Sequence, residues 1–148
     1  MIRGVDYIGV AVIFYCHDGA GNLLLIKRGI KARDEHGKWE VGGGAVDWGE
    51  TQEQALRREI MEEYCTDVIS FELMGIRDDI REHNGHTIHW VAAEYLVEVD
   101  HDKAAIGEPE KFTDIGWFKL DHMPDLLHVN LELGLKKYAS KLQSRLSN

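Results

Sequence analysis

Between Gly42 and Cys65 the chain reads GGGAVDWGETQEQALRREIMEEYC. Three glycines run into a segment of helical periodicity that carries Glu59, Glu62 and Glu63 within five residues, beside Arg57 and Arg58. Like charges one turn apart destabilise a helix, so the crowding needs a reason. At about 100° per residue the three carboxylates cover an arc of roughly 100° and point the same way. Leu56, Ile60, Met61 and Tyr64 occupy the neighbouring arc. One side of this helix can therefore pack on a sheet while the adjacent side offers a cluster of oxygens. Such a cluster becomes favourable around a hard divalent cation such as Mg²⁺, which takes oxygen ligands from carboxylates and substrate phosphates. The competing reading is a solvated acidic face neutralised by the two arginines.

The rest of the chain supplies a sheet for that helix. YIGVAVIFY (Tyr7 to Tyr15), the turn-forming HDGAGN, and LLLIKR predict an N-terminal β-hairpin. Ile30 to Lys38 reads as an exposed loop leading to a short strand at WEV. Val68 to Ile80 predicts a strand with a breaker at Gly75, and His86 to Asp100 the longest strand. Ile106 to Lys111 is a loop, DIGWFKL a further strand, and DHMPDLLH a loop with room for a helical turn. Leu131, Leu135, Tyr138, Leu142 and Leu146 fall at helical spacing and predict one amphipathic C-terminal helix. The order strands, helix, strands, helix points to an α/β fold with a mixed sheet, and 148 residues to a single domain spanning 1–148.

Composition narrows the function. The formal net charge of −9, without a Lys/Arg block, argues against a nucleic-acid polymer as partner. An acidic protein still binds an anionic small molecule when a metal ion brings positive charge. The N-terminal apolar run is too short and interrupted for a signal peptide or membrane span. Cys16 and Cys65, without CxxC spacing, fit a reducing cytoplasm.

From Gly44 there are five residues to Glu50, then seven to Arg58, then REIMEE. That pattern, GxxxxxE, seven residues, REUxEE with U aliphatic, resembles the signature of the Nudix hydrolases and fixes six identities across twenty positions. GKWEVGGG, VDWGE and EPEKFTDIGWFKLDHMPD resemble the segments flanking that box, so the likeness covers most of the chain. It implies an α/β/α sandwich with a catalytic loop-helix-loop. Two places depart: Cys65 and Thr66 stand where the family has glycine and an aliphatic residue, and Gly42 where many members have proline. The first bears on the helix cap, the second on loop rigidity.

The resemblance implies a hydrolase that cleaves the pyrophosphate linkage of a nucleoside diphosphate joined to another moiety. A (deoxy)nucleoside triphosphate, giving monophosphate and pyrophosphate, is the leading expectation. ADP-ribose or a nucleotide sugar is the alternative, and a nucleotide sensor without catalysis a third. Mg²⁺, or Mn²⁺, would be held by Glu59, Glu62, Glu63 and the Gly44 carbonyl. Glu59 and Glu62 are the candidates in the box for activating water. Glu110 is the candidate from the EPEK loop, with Glu108 as its alternative. Glu50 and Arg58 match a structural ion pair. Lys27 and Arg28 could meet a distal phosphate. Any of Trp39, Trp48, Trp90 and Trp117 could stack on a base, although strand aromatics commonly belong to cores. His83, His86 and His89 are spaced so that a strand would turn them to different faces, against a common zinc site. Asp78, Asp79 and Glu82 read as a solvated acidic edge. The exposed edge of the N-terminal hairpin is where a homodimer would pair.

Overall fold

A computed structural model describes residues 1–146. Its strands are β1 (Gly9–His17), β2 (Asn22–Arg28), β3 (Trp39–Glu40), β4 (Gly42–Ala45), β5 (Val68–His83), β6 (His86–Val99) and β7 (Phe112–Lys119). Its helices are α1 (Gln52–Tyr64), α2 (Val129–Lys137) and α3 (Ala139–Leu146). One mixed sheet runs β3-β2-β1-β6-β5, with β4 also pairing β1 and β7 pairing β2.

The strand most constrained by its sequence is β1. Val12, Phe14 and Cys16 face one core, Tyr15 the other, and all four are buried. A strand covered on both faces reads as a nearly continuous apolar run, which is what VAVIFYC is. It lies parallel to β6 from Gly9↔Trp90 to His17↔Glu98 and antiparallel to β4 from Ala11↔Ala45 to Phe14↔Gly42. The predicted N-terminal hairpin survives at its turn alone, as the single pair His17↔Leu23. Beyond it β2 departs to pair with β3 and β7. The hairpin therefore has no exposed edge at β1, which corrects the expected place for a dimer contact. Among the described residues β5 pairs only with β6, and β3, β4 and β7 are likewise paired on one side.

α1 covers one face of the sheet, burying Leu56, Ile60 and Tyr64 against Val12, Phe14, Leu24, Ile26 and Val97. α2 and α3 cover the other, placing Leu131, Tyr138, Leu142 and Leu146 on Tyr15, Leu23, Leu25 and Leu96. Each fully buried aliphatic side chain contributes about 1.5–3 kcal/mol relative to exposure. The result is the α/β/α sandwich. The predicted C-terminal helix is broken in two at Tyr138 (φ −104°, ψ 17°), whose hydroxyl donates to buried Glu94 at 2.8 Å. β5, with sixteen residues, exceeds β6, with fourteen; the two are joined through Asn84 (φ 51°) and Gly85 (φ 77°). Positive φ at both central residues is the two-residue turn that matches strand twist.

Candidate active site

α1 begins at a defined point because Thr51 accepts from the Gln54 amide while the Gln54 side chain accepts from the Thr51 amide, at 3.1 and 2.8 Å. Two otherwise orphaned donors are satisfied together. The helix ends at Cys65, which adopts the left-handed conformation (φ 58°) and donates to the Met61 carbonyl at 3.0 Å. The cap is thus formed where glycine was expected, with a side chain in a strained region.

Between these ends Arg58 ties the helix to the preceding loop. Its Nε and Nη2 donate to the two Glu50 oxygens at 2.7 and 2.9 Å, and Nη2 also donates to the Ala45 carbonyl at 3.0 Å. The Arg58 guanidinium, aided by the Asp47 amide, holds the Glu50 carboxyl down at about 2. Nη1 turns the other way, donating to Glu59 at 2.8 Å and approaching Glu62 at 3.4 Å.

The glycines of β4 leave room for close neighbours: the Phe14 ring and Glu63 at Gly42, Ile13 at Gly43 and Glu59 at Gly44. A Cβ on Gly44 would stand 2.1 Å from Glu59 Cδ, and one on Gly42 2.6 Å from Glu63 Oε2. Glu63 is buried, and the Gly43 amide donates to it at 3.3 Å. Burial pushes its carboxyl well above the ordinary range, reinforced by Glu59, Glu40 and Glu108. Glu59 is also raised, by burial first and by Glu62 and Glu108, against the opposing pull of Arg58. Glu62 is exposed at the outer side.

Of the two EPEK-loop carboxylates, Glu108 is half-buried and adds its negative charge to the surroundings of Glu59 and Glu63, while Glu110 is exposed. Gly107 donates its amide to the Glu63 carbonyl at 2.9 Å, which docks the loop on α1 and leaves Glu108 next to the helix. A Cβ at Gly107 would lie 1.9 Å from the Glu62 carbonyl oxygen, so glycine is required for that approach.

Across β4 lies a cavity of about 280 Å³. Gly42, Gly43 and Gly44 form the rim shared with the carboxylates; Ala11, Ala92 and Trp90 line it, with Arg28, Arg33, Arg77 and Arg81 around Glu40, Asp79 and Glu94. Arg28 belongs to it, but its guanidinium is already engaged by Glu40 at 2.7 Å and the Asp34 carbonyl at 2.7 Å. Lys27 lies outside the lining, opposite Trp39 and Asp114. Asp79 is no solvated edge: it faces Arg81 at 3.2 Å and Arg77 at 3.8 Å. Glu94 accepts from Tyr138 and sits 3.3 Å from Arg77 Nε. His128 caps α2 by accepting from the Asn130 amide, and burial lowers it to about 4.

Of the tryptophans, Trp90 reaches the cavity; Trp39 packs on Phe118, Trp117 stacks on His101, and Trp48 is fully exposed. His83 and His86 pair across the hairpin turn, while His89 contacts Asp78 at 3.2 Å. Strand alternation alone could have flagged Arg77, Asp79 and Arg81 as sharing a face, but not what that face meets.

Among the described residues no three His, Cys, Asp or Glu side chains converge tightly enough to hold a metal ion as they stand. The donor chemistry nevertheless fits one. Buried Glu63 has a single long hydrogen bond and three carboxylates acting on it, an arrangement a hard cation would relieve. No helix of the described residues is long and apolar enough to cross a membrane.

The model of the NUDIX domain family matches residues 7–139. An RNA pyrophosphohydrolase from Erythrobacter litoralis is 32% identical over 107 residues, covering 62% of this chain; the chain spans 65% of that relative's length. The nucleoside triphosphatase NudI of Escherichia coli is 30% identical over 106 residues, 68% of this chain and 73% of the relative. A crystal structure of a MutT NUDIX hydrolase from Burkholderia pseudomallei is 34% identical, with a TM-score of 0.77 over 88% of this chain and 98% of that one.

Proposed function

The chain belongs to the NUDIX domain family, and on that premise we propose that it is a divalent-metal-dependent pyrophosphohydrolase converting (deoxy)nucleoside triphosphates to monophosphate and pyrophosphate. The observation that carries the reading is the placement of Glu59 and Glu63 against the glycines of β4, on whose other side opens the arginine-lined cavity. Polyphosphate laid along β4 has the carboxylates on one flank and the nucleoside cavity on the other. The cavity volume, near the lower end for small-molecule sites, suits one nucleoside rather than two. The name of the Escherichia coli relative, a nucleoside triphosphatase, and the net charge of −9 support a free nucleotide; the name of the Erythrobacter relative favours RNA and makes it the competing substrate.

Glu59, Glu62 and Glu63 with the Gly44 carbonyl would hold Mg²⁺ or Mn²⁺, which when bound polarises phosphoryl oxygen and lowers the pKa of water. The chain's own parts do the rest. Glu63 is held by the Gly43 amide, so its free oxygen is fixed relative to β4. Arg58 restrains Glu59 and locks α1 to the loop through Glu50. Glu59, Glu62 and Glu110, with Glu108 as the alternative in the loop, are the candidates for taking a proton from attacking water; the docking of Gly107 on α1 supports Glu108. Trp90 offers an aromatic wall for a base. The free thiols Cys16 and Cys65 support a reducing compartment such as the cytoplasm.

The test is a hydrolysis screen with Mg²⁺ or Mn²⁺ over nucleoside triphosphates, ADP-ribose, nucleotide sugars and RNA bearing a 5′-triphosphate, with products resolved. Monophosphate and pyrophosphate from a free triphosphate is the expected result. Preference for ADP-ribose, a sugar nucleotide or RNA would replace the substrate class; binding without turnover would replace the enzyme by a sensor.

A further inference from the structure

Glu94 carries a carboxyl group inside the molecule. It is 1% exposed on β6, and the described residues give it two partners, the Tyr138 hydroxyl at 2.8 Å and Arg77 Nε at 3.3 Å. Burying such groups costs desolvation, and apolar residues of the same volume often serve stability as well or better. Its presence points to a task other than holding the fold. Three features of the chain converge on it. The break between α2 and α3 falls at Tyr138 itself. Gly75 is the cross-strand neighbour of Glu94 and lies under the hydroxyl: a Cβ there would stand 2.5 Å from Tyr138 Oη. The register shift of β5 between Leu73 and Gly75 sets that glycine opposite Glu94. Burial, and then the bond to Glu94, push the Tyr138 hydroxyl above its ordinary range, so it remains a donor.

What Glu94 holds is Arg77. Three half-buried arginines line the cavity, Arg28, Arg77 and Arg81. Arg28 spends its donors on Glu40 and Asp34, and Arg81 donates to Asp34 at 3.4 Å. The Arg77 guanidinium is held by charge alone among the described residues, with Glu94 Oε2 beside Nε and Asp79 Oδ1 3.8 Å from Nη1. Its amino groups are therefore the donors left to meet a ligand. We propose that Tyr138 and Glu94 are positioning residues for substrate recognition: the hydroxyl fixes Glu94, and Glu94 turns Arg77 so that its amino groups face acceptor atoms of the nucleoside. The inference rests on the reading of the cavity as the nucleoside site. A planar guanidinium fork pinned at Nε presents its remaining donors in one fixed direction, which a free side chain does not.

Steady-state kinetics with nucleoside triphosphates and Mg²⁺ test this. Tyr138→Phe keeps the ring that packs edge-on against Tyr15 and removes the hydroxyl. KM should rise about tenfold at unchanged kcat, the signature of losing a contact from a charged group that serves bound substrate and transition state alike. Inhibition by inorganic triphosphate, which has no nucleoside, should stay as in the wild type. In an Arg77→Met background the same change should add less than about twofold, because the two residues act through one contact. Should Tyr138→Phe misfold, Gly75→Ala decides: its methyl displaces the hydroxyl from outside the cavity lining and should raise KM in the same way. An unchanged KM, a fall in kcat instead, weaker inhibition by inorganic triphosphate, or effects additive with Arg77→Met would overturn the inference and leave the nucleoside reading in place. A wild type that neither binds nor hydrolyses a nucleoside triphosphate would remove that reading, and this inference with it.

Discussion

Arg58 grips Glu50, eight residues earlier, with two parallel contacts of 2.7 and 2.9 Å, and with its remaining amino group it restrains Glu59. One side chain thus sets the approach of loop to helix and the orientation of a candidate ligand. Lysine keeps the charge and loses the planar fork. Arg58→Lys is expected to lower turnover by about tenfold to a hundredfold, the usual cost of losing a group that orients a ligand. Metal titrations should show weakened affinity in parallel. Unchanged affinity would assign Arg58 to loop docking alone.

Glu63 links pH to stability in the metal-free protein. Its carboxyl, like that of Glu59, is raised above 4.5, so the folded state binds these protons more tightly than the unfolded one. Their contribution is complete below about 4.5 and is lost as pH rises through the folded values. Carboxyls that are depressed, Glu50 at about 2 among them, act in the separate window below 4.5. His128, lowered to about 4 by burial, works in the opposite sense and adds stability as pH rises from about 4 to 6.5, so the carboxyl contribution is read as a difference: in EDTA, Glu63→Gln should gain stability relative to wild type as pH rises from 5 towards neutrality. The same variant should lose turnover by about a hundredfold or more, because a neutral amide is a poor ligand for a hard cation.

Gly44 is needed for approach, not for backbone freedom. A methyl group there would meet Glu59 Cδ at 2.1 Å. Gly44→Ala should reduce turnover by roughly the factor seen on disturbing a ligand's support, about tenfold to a hundredfold, while urea denaturation shifts little. A variant with full activity would show that Glu59 does not need to lie against β4.

Cys65 gives an opposite expectation. With φ at 58° it occupies a region that costs a side chain about 1 kcal/mol relative to glycine. Cys65→Gly should raise stability by about 0.5–1 kcal/mol, seen as an increase in Tm of a few degrees at most, without change in kcat.

The glutamate cluster was legible because three carboxylates at helical spacing have one meaning in register with Gly44, Glu50 and Arg58. The layers were legible because α1, α2 and α3 each carry an apolar stripe. What the local pattern did not carry was pairing. LLLIKR looks like the partner of YIGVAVIFY, yet β1 pairs along its length with β4 and β6, strands whose place beside it the local pattern does not carry. Asn84-Gly85 is a recognised hairpin signal that joins the two longest strands and was readable. Glu108 and Glu110 look alike along the chain, and the Gly107 amide bond to the Glu63 carbonyl, which sets Glu108 next to α1, joins segments far apart in sequence. Arg77, Asp79 and Glu94 carry no motif; they meet because β5 and β6 lie side by side.

The most direct test is the initial rate of pyrophosphate release from nucleoside triphosphates with Mg²⁺, for the wild type and for the Glu62→Gln, Glu63→Gln double variant at matched fold by circular dichroism. Metal-dependent release of pyrophosphate by the wild type, abolished in the variant, is the predicted result. Turnover in the folded variant equal to wild type, or wild-type turnover indifferent to EDTA, would contradict the assignment of these carboxylates to metal-assisted hydrolysis.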